Sequence, residues 1–159
     1  MLMFYLPDAV DTERRGARVA PTLKGGMVIS LSGDLGTGKT TFVRGLLRAL
    51  GVHGPIKSPS YSLVEHYPIS SLYFYHFDFY RFIDPQEWES VGISDYFRDD
   101  AVCLVEWPER VLGLLPVPDL ALAFAYPVRG AGRELGATAF TASAESCLIA
   151  LGAEVPPPR

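Results

Sequence analysis

One short stretch of the sequence, GDLGTGKTT at residues 33–41, combines residue types that can hold a phosphate chain. It matches the P-loop pattern G-x-x-x-x-G-K-[ST] at Gly33, Gly38, Lys39 and Thr40. In that pattern, glycines let backbone N–H groups approach phosphate oxygens, the lysine reaches the β- and γ-phosphates, and the hydroxyl ligates Mg²⁺. The sequence therefore predicts a site for ATP or ADP with Mg²⁺, with further loop contacts from Gly36, Thr37 and Thr41.

The segments on either side of this P-loop, residues 33–41, are those that nucleotide binding requires. MVISLS, at residues 27–32, is an uncharged run bounded by glycines, which is typical of a buried strand. In TFVRGLLRALG, residues 41–51, apolar residues recur at helical spacing, and Gly51 is suited to end the helix. The N-terminus of that helix would add its dipole and its unpaired N–H groups at the same point.

Two carboxylates follow buried strands at positions suited to Mg²⁺. Glu106 ends the uncharged run AVCLV, and Asp78 lies near the end of LYFYHFDFY, residues 72–80. A P-loop enzyme needs such a carboxylate on a neighbouring strand for the metal or its water shell. We therefore predict Lys39, Asp78 and Glu106 as catalytic residues, and Thr40 and Glu106 as metal ligands. Two alternatives stay open: Glu106 could reach solvent at the strand end, and Asp78 could cap the following turn.

Several residues near these carboxylates have more than one interpretation. Strand alternation places His76 on the face of Asp78, where a hydrogen-bonded structural histidine is favoured over a base. Arg81 could be an exposed charge, a partner for Asp78 or a phosphate ligand. The segment KSPSYSLVE, residues 57–65, suits a loop that senses the γ-phosphate, but equally a turn that enters a strand. Trp107 follows the proposed metal carboxylate and is therefore expected near the nucleotide.

The remaining segments indicate an α/β domain. Residues 8–20 predict a helix with Asp8 as its N-cap, and residues 86–90 predict a short one. Two late strands, DLALAFAYPV and RELGATAFTAS, are joined by the glycine-rich turn RGAG and followed by the helix AESCLIALG. This order predicts a P-loop NTPase-like three-layer sandwich around a mixed parallel and antiparallel sheet. We expect one ATPase domain at residues 1–152 and a flexible, proline-rich tail at residues 153–159.

Composition and charge limit the classes of partner. The chain has 159 residues and a net charge of −4 without a basic block, which argues against broad electrostatic binding of nucleic acid. Cys103 and Cys147 lie in apolar surroundings and suit reduced, buried thiols better than a disulfide. Because we recognise neither a signal sequence nor a membrane span, a cytoplasmic protein is expected.

Five segments, taken in order, resemble the TsaE (YjeE) family: GDLGTGKTTFVRGLLRALG, KSPSYSLVEHY, YHFDFYRFIDPQEW, VGISDYF and CLVEWPER. Many families share the P-loop, whereas SPSYSLVE, HFDFYR and VEWPER in series are far more specific. Ser60 stands where the family usually has threonine, and serine keeps the hydroxyl. The resemblance implies that Lys39 and the loop amides hold phosphate. It also implies that Thr40 and Glu106 serve Mg²⁺ and that Asp78 lies near the γ-phosphate.

The same resemblance implies a function and partners. The family comprises bacterial cytosolic ATPases needed to form threonylcarbamoyladenosine at position 37 of tRNAs that read codons beginning with A. Its members do not transfer the threonylcarbamoyl group themselves but join a TsaB–TsaD pair, so tRNA contact would be indirect and no membrane is involved. The family's first segment approaches the nucleotide, and Thr12 is the matching position here. Whether Thr12 or Arg133 contacts the nucleotide stays open.

Two other functions stay open from the sequence. A small-molecule kinase of the P-loop class would need an arginine-bearing lid and an acceptor pocket. Only Arg110, Arg129 and Arg133 lie between Glu106 and the tail, which disfavours such a lid. A nucleotide-binding module without turnover is the second alternative, because no arginine finger is evident in the chain. Hydrolysis that is slow alone and stimulated by partners would separate the family function from both.

Overall fold

The computed structural model describes residues 1–152, which form one seven-stranded sheet with helices on both faces. The predicted tail, residues 153–159, lies outside the described residues and stays a prediction, as does the domain boundary. The strands are β1 (Leu2–Leu6), β2 (Val28–Ser32), β3 (Val64–Ile69), β4 (Leu72–Asp78), β5 (Ala101–Glu106), β6 (Leu120–Ala125) and β7 (Arg133–Ala139). The α-helices are α1 (Ala9–Val19), α2 (Lys39–Ala49), α3 (Gln86–Ser90) and α4 (Ala142–Gly152).

The strand order is β1-β7-β6-β2-β5-β4-β3, with a parallel centre and antiparallel margins. β2 pairs in parallel with β5 and β6, and β4 pairs in parallel with β5, whereas β1–β7, β6–β7 and β3–β4 are antiparallel. This confirms the predicted mixed sheet. Parallel strands end at the same edge, where α/β proteins bind their ligands. Glu106 aligns there with Leu31 on one side and with Asp78 on the other.

The two faces of the sheet carry separate cores. On β5, Val102 and Leu104 join an apolar cluster beneath α1, α2 and α4, whereas Val105 joins an aromatic cluster with Trp88 of α3 and Phe77. This alternation follows from the two-residue period of a strand buried on both faces. The molecule therefore has the three layers that the sequence predicted.

The cysteines divide between these two cores. Cys103 belongs to the aromatic cluster and Cys147 to the helical one, and both are buried free thiols. Burial raises the pKa of Cys103 to about 12 and also raises the pKa of Cys147, so neither is a ready thiolate at neutral pH. The prediction of reduced, buried thiols fits this placement.

The structure adds one strand to those that the sequence predicts and fixes one end of two others. No pattern in residues 2–6 predicts an element, yet they form β1 at the sheet edge, with Leu6 fully buried against the core. The segment 57–65 leads into β3, which begins at Val64. This agrees with the interpretation of the segment as a turn that enters a strand. β5 ends at Glu106, because Trp107 takes a left-handed backbone, with φ of +59°, directly before Pro108.

The helices α1 and α2 cross with their backbones in contact. A Cβ atom on Gly16 of α1 would collide with the carbonyl oxygen of Phe42, and one on Gly45 of α2 would collide with that of Glu13. Glycine at both positions lets the two helix backbones touch. Because α2 begins within the P-loop, α1 is thereby packed rigidly against the helix that carries the loop. No helix within residues 1–152 is long and apolar enough to span a bilayer.

Candidate active site

Three glycines give the P-loop its shape: Gly33, Gly36 and Gly38 have φ of +141°, +78° and +108°. Residues with a Cβ atom rarely adopt such angles. A Cβ atom on Gly33 would also collide with the carbonyl oxygen of Phe124, so the loop packs directly on β6. α2 begins at Lys39, immediately after Gly38, and its first N–H groups therefore face into the loop.

Lys39 is folded back onto its own loop. Its Nζ donates to the carbonyl oxygen of Gly33, approaches that of Asp34 at 3.5 Å, and lies 3.7 Å from the ring centre of Trp107. Burial lowers the pKa of the Lys39 ammonium, and the carboxylates of Glu106 and other acidic neighbours oppose that shift. The ammonium thus lies inside the loop on neutral partners, which an anionic group can replace.

Glu106 is the centre of a buried polar network. Its carboxylate accepts from the Thr40 hydroxyl at 3.1 and 3.0 Å, from the Ser58 hydroxyl at 3.3 Å, and lies 2.5 Å from Nε2 of His76. Only 2% of Glu106 is exposed, so the alternative of a strand-end charge reaching solvent is wrong. Contact with Thr40 brings together the two oxygen donors that the sequence predicted as metal ligands.

Asp78 does two things at the end of β4. Its Oδ1 accepts a hydrogen bond from the backbone N–H of Tyr80 at 2.8 Å. Asp78 therefore caps the following turn, which is the alternative that the sequence left open. Its Oδ2 accepts from the Ser58 hydroxyl, which also contacts Glu106. Ser58 therefore links the serine-rich segment 57–65 to both buried carboxylates.

His76 is a fully buried neighbour that contacts the Glu106 carboxylate. The side chain is fully buried, and its Nδ1 has no hydrogen-bond partner within residues 1–152. An imidazole with one bare nitrogen donates through the other, so Nε2–H is the donor to Glu106. The structure therefore fits the structural interpretation of His76 rather than that of a base.

A cavity of about 370 Å³ opens above this network, and we call it the P-loop cavity. Most of the predicted site residues line it, whereas Gly33 and Thr37 do not. Gly33 contributes its carbonyl oxygen to Lys39, and the Thr37 hydroxyl donates to the carbonyl oxygen of Asp34 at 2.7 Å. The lining residues are Leu35, Gly36, Gly38, Lys39, Thr40, Thr41, Ser58, Ser60, Asp78, Tyr80, Arg81, Glu106 and Trp107.

A smaller cavity of about 200 Å³ lies on the other side of the loop, and we call it the side cavity. It shares three loop residues with the P-loop cavity, Gly36, Gly38 and Thr41, so the two cavities adjoin along the loop. Thr12 and Arg133, whose contacts the sequence left open, both line the side cavity. The full lining is Leu6, Pro7, Asp8, Ala9, Thr12, Gly36, Thr37, Gly38, Thr41, Gly132 and Arg133.

The outer part of the loop is braced by residues that sequence reasoning missed. The Tyr126 hydroxyl donates to the carbonyl oxygen of Leu35 at 2.7 Å, and the Arg133 guanidinium donates to that of Gly36 at 3.3 and 3.4 Å. Arg133 also stacks on Tyr126, 4.4 Å from its ring centre. More than 90 residues separate each donor from its acceptor, and no local spacing in the sequence signals these pairs.

The donors in the P-loop cavity fit Mg²⁺ bound together with phosphate. Magnesium prefers oxygen ligands and is commonly held by one or two carboxylates plus the phosphates of a substrate. Thr40 and Glu106 offer such oxygens side by side. Within residues 1–152 no group of three or more His, Cys, Asp or Glu side chains could form an all-protein metal site, so phosphate oxygens would have to complete the ligand set.

Comparison with known proteins identifies the family. The model of the family described as threonylcarbamoyl adenosine biosynthesis protein TsaE matches residues 6–134. The chain belongs to the TsaE family. The tRNA threonylcarbamoyladenosine biosynthesis protein TsaE of Haemophilus influenzae is 44% identical to it over 127 residues, which cover 77% of this chain and 80% of that protein. The TsaE protein of Bacillus subtilis is 36% identical over 132 residues, covering 83% and 80%.

A solved structure carries the same fold. The crystal structure of Bacillus subtilis YdiB matches with a TM-score of 0.79 at 29% sequence identity, covering 94% of this chain and 93% of that one. The family match confirms the resemblance found in the sequence motifs, and the structural match confirms the fold. Membership in the TsaE family connects the chain with tRNA threonylcarbamoyladenosine biosynthesis.

Proposed function

We propose that this chain is a cytoplasmic, Mg²⁺-dependent ATPase that supports formation of threonylcarbamoyladenosine at tRNA position 37 by a TsaB–TsaD pair. The observation that carries the proposal is the contact of the Thr40 hydroxyl with the buried Glu106 carboxylate, at the base of the P-loop cavity in a TsaE family member. That pair places two magnesium-type oxygens beside a loop shaped for phosphate.

The two cavities give the nucleotide a direction. The phosphate chain occupies the P-loop cavity, because the proposed metal residues Thr40 and Glu106 lie there. Thr41 lines both cavities, so the nucleoside end passes beneath the loop towards Thr12 and Arg133. The terminal phosphate then points towards the ends of β5 and β4.

Each residue of the proposed site then has a distinct task. Lys39 exchanges its loop carbonyl partners for the β- and γ-phosphates, and the glycine-rich backbone donates N–H groups along the chain. Thr40 and Glu106 would hold Mg²⁺, which would supply neutralising charge to these phosphates. Asp78 orients the attacking water together with Ser58, which lies between the two carboxylates.

Glu106→Gln tests the role of the metal. The variant keeps the size of the side chain but removes the charge, so Mg²⁺-dependent phosphate release should fall about 10- to 100-fold, as expected for loss of a charged contact. ADP binding measured by calorimetry without Mg²⁺ should change much less. Glu109→Gln, in a nearby exposed carboxylate outside the cavity lining, is the matched control. Hydrolysis at the wild-type rate in Glu106→Gln would mean that Asp78, and not Glu106, is the carboxylate that holds the metal. Absence of nucleotide binding in the wild type would refute the proposal.

Trp107 provides an optical test of the site. Its ring lies over Lys39, so displacement of that ammonium by a bound phosphate chain should change the indole fluorescence. The second tryptophan, Trp88, is buried in the aromatic core and donates to the Ser94 hydroxyl at 2.8 Å. Titration with Mg-ADP should therefore give a fluorescence change that survives in Trp88→Phe and disappears in Trp107→Phe. A signal that disappears with Trp88 instead would contradict phosphate binding in the P-loop cavity.

A further inference from the structure

Arg81 lies at the P-loop cavity with its charge unpaired. Its guanidinium carbon is 4.3 Å from the ring centre of Tyr61, and within residues 1–152 it forms no ion pair. Asp78, three residues earlier, is engaged by Tyr80 and Ser58 instead. The sequence alternative in which Arg81 pairs with Asp78 is therefore not what the structure shows.

The surroundings of Arg81 distinguish it from other arginines in the chain. Arg44 and Arg48 donate to backbone carbonyls, and Arg98 pairs with Asp100 at 3.0 Å. Of the residues that line the P-loop cavity, Lys39 and Arg81 are the two cations. A guanidinium held over an aromatic ring does not use its N–H groups on that ring's atoms and can offer them to another ligand. That geometry suits bidentate binding of a phosphate.

The sheet places Arg81 at the far end of the cavity from the nucleoside. The P-loop follows β2, and β5 lies between β2 and β4, so the end of β4 is about 10 Å from the loop strand. A run of contacts from Thr40 through Glu106 and Ser58 to Asp78 leads in the same direction. The side cavity lies across the loop, beside β1 and β7. The outermost phosphate is therefore the one closest to Arg81.

We propose that Arg81 binds the terminal phosphate of a nucleoside triphosphate and that Tyr61 positions it for that contact. This inference rests on the proposed nucleotide-binding function and adds a basis for telling ATP from ADP, since a diphosphate does not reach the end of β4. Tyr61 is 87% exposed, so its ring acts on Arg81 and not on the protein core. Ser58 and Ser60, from the same segment, line the cavity beside them.

The test compares two nucleotides on one set of variants. Calorimetric titrations with Mg-ADP and with a non-hydrolysable Mg-ATP analogue are made on the wild type, Arg81→Ala and Arg98→Ala. Arg81→Ala should weaken binding of the triphosphate analogue about 10- to 100-fold and change ADP binding less than about 2-fold. Arg98, which also stacks on tyrosines but lies outside the P-loop cavity, is the matched control and should change neither. Arg81→Lys should recover part of the loss, because it restores charge without the planar fork.

Two tyrosine variants test the positioning role. Tyr61→Phe keeps the aromatic ring and should leave both affinities at wild-type values, whereas Tyr61→Leu should weaken only the triphosphate analogue, about 2- to 5-fold. The circular dichroism spectrum of every variant should match that of the wild type, because the side chains of Tyr61, Arg81 and Arg98 are exposed. Equal losses for the two nucleotides in Arg81→Ala, or no loss, would overturn the inference while the wild type still binds ADP. Failure of the wild type to bind either nucleotide would overturn the proposed function instead.

Discussion

ATP turnover by this chain is expected to rise about 10³-fold when a TsaB–TsaD pair is added at saturating concentration. Completing the set of cations around a transferred phosphoryl group is worth about 10³–10⁵ in rate in other P-loop enzymes. We expect the lower end of that range because Arg81 already lies at the cavity in the isolated chain. The exposed side chains of Tyr61 and Arg81 leave this end of the cavity open to water, and a partner that covers them would strengthen every charged contact inside.

Phosphate release from Mg-ATP, measured with and without the cognate pair, gives this result directly. A Lys39→Ala chain added with the same partners is the control, since stimulation must depend on the nucleotide site of this chain. Hydrogen exchange in residues 57–65 should slow when ATP and partners bind together, because Ser58 contacts both site carboxylates. Unstimulated turnover, combined with phosphoryl transfer to a small metabolite, would favour the kinase alternative over the tRNA-modification function.

Lys39→Ala is expected to weaken ATP binding about 10³-fold and ADP binding, which lacks the γ-phosphate contact, about 10- to 100-fold, with the fold intact. Hydrogen bonds to charged groups contribute about 1.5–3 kcal/mol each, and the ammonium is expected to contact two phosphates. The fold should survive because Lys39 contacts only its own loop and the Trp107 ring within residues 1–152. Calorimetry measures the affinities, and urea unfolding measures the stability.

Lys24→Ala is the matched control for that experiment, because Lys24 is an exposed lysine remote from both cavities. Its nucleotide affinities should equal those of the wild type. Wild-type affinity in Lys39→Ala would mean that the P-loop does not bind the phosphate chain. Loss of cooperative unfolding would instead show that the ammonium is needed for folding.

The parts of the fold and site that sequence predicts well are those encoded locally or at strand ends. The P-loop with its flanking strand and helix is one continuous segment. Its glycine–lysine pattern, the helical spacing of the apolar residues and the signal that ends the helix can therefore all be read from adjacent residues. Asp78 and Glu106 come from distant segments, yet each ends a buried strand, and adjacent parallel strands bring their ends together. The placement of Asp78 beside Glu106 follows from that rule.

Other contacts could not be predicted because they depend on packing between distant segments. Neither β1 nor the bracing by Arg133 and Tyr126 has a periodic or capping signal of its own. The close backbone contact at Gly16 and Gly45 is a property of two helices together, and each glycine alone looks like a weak helix position. Ser58 is one of three similar serines in residues 57–65, and only the folded structure shows that it is the one that contacts Asp78.

The position of β1 has a consequence for the order in which the chain folds. Leu6 pairs with Arg133, so β1 joins a partner that is synthesised 127 residues later (133 − 6). Both residues line the side cavity, whereas the P-loop and its helix need only neighbouring sequence and the central strands. During translation the phosphate end of the site can therefore form early, while the nucleoside end is completed only after β7 has emerged from the ribosome. Closing such a distant pair is slow, and the unpaired edges of β1 and β7 are exposed until it happens, which makes this the stage most open to aggregation.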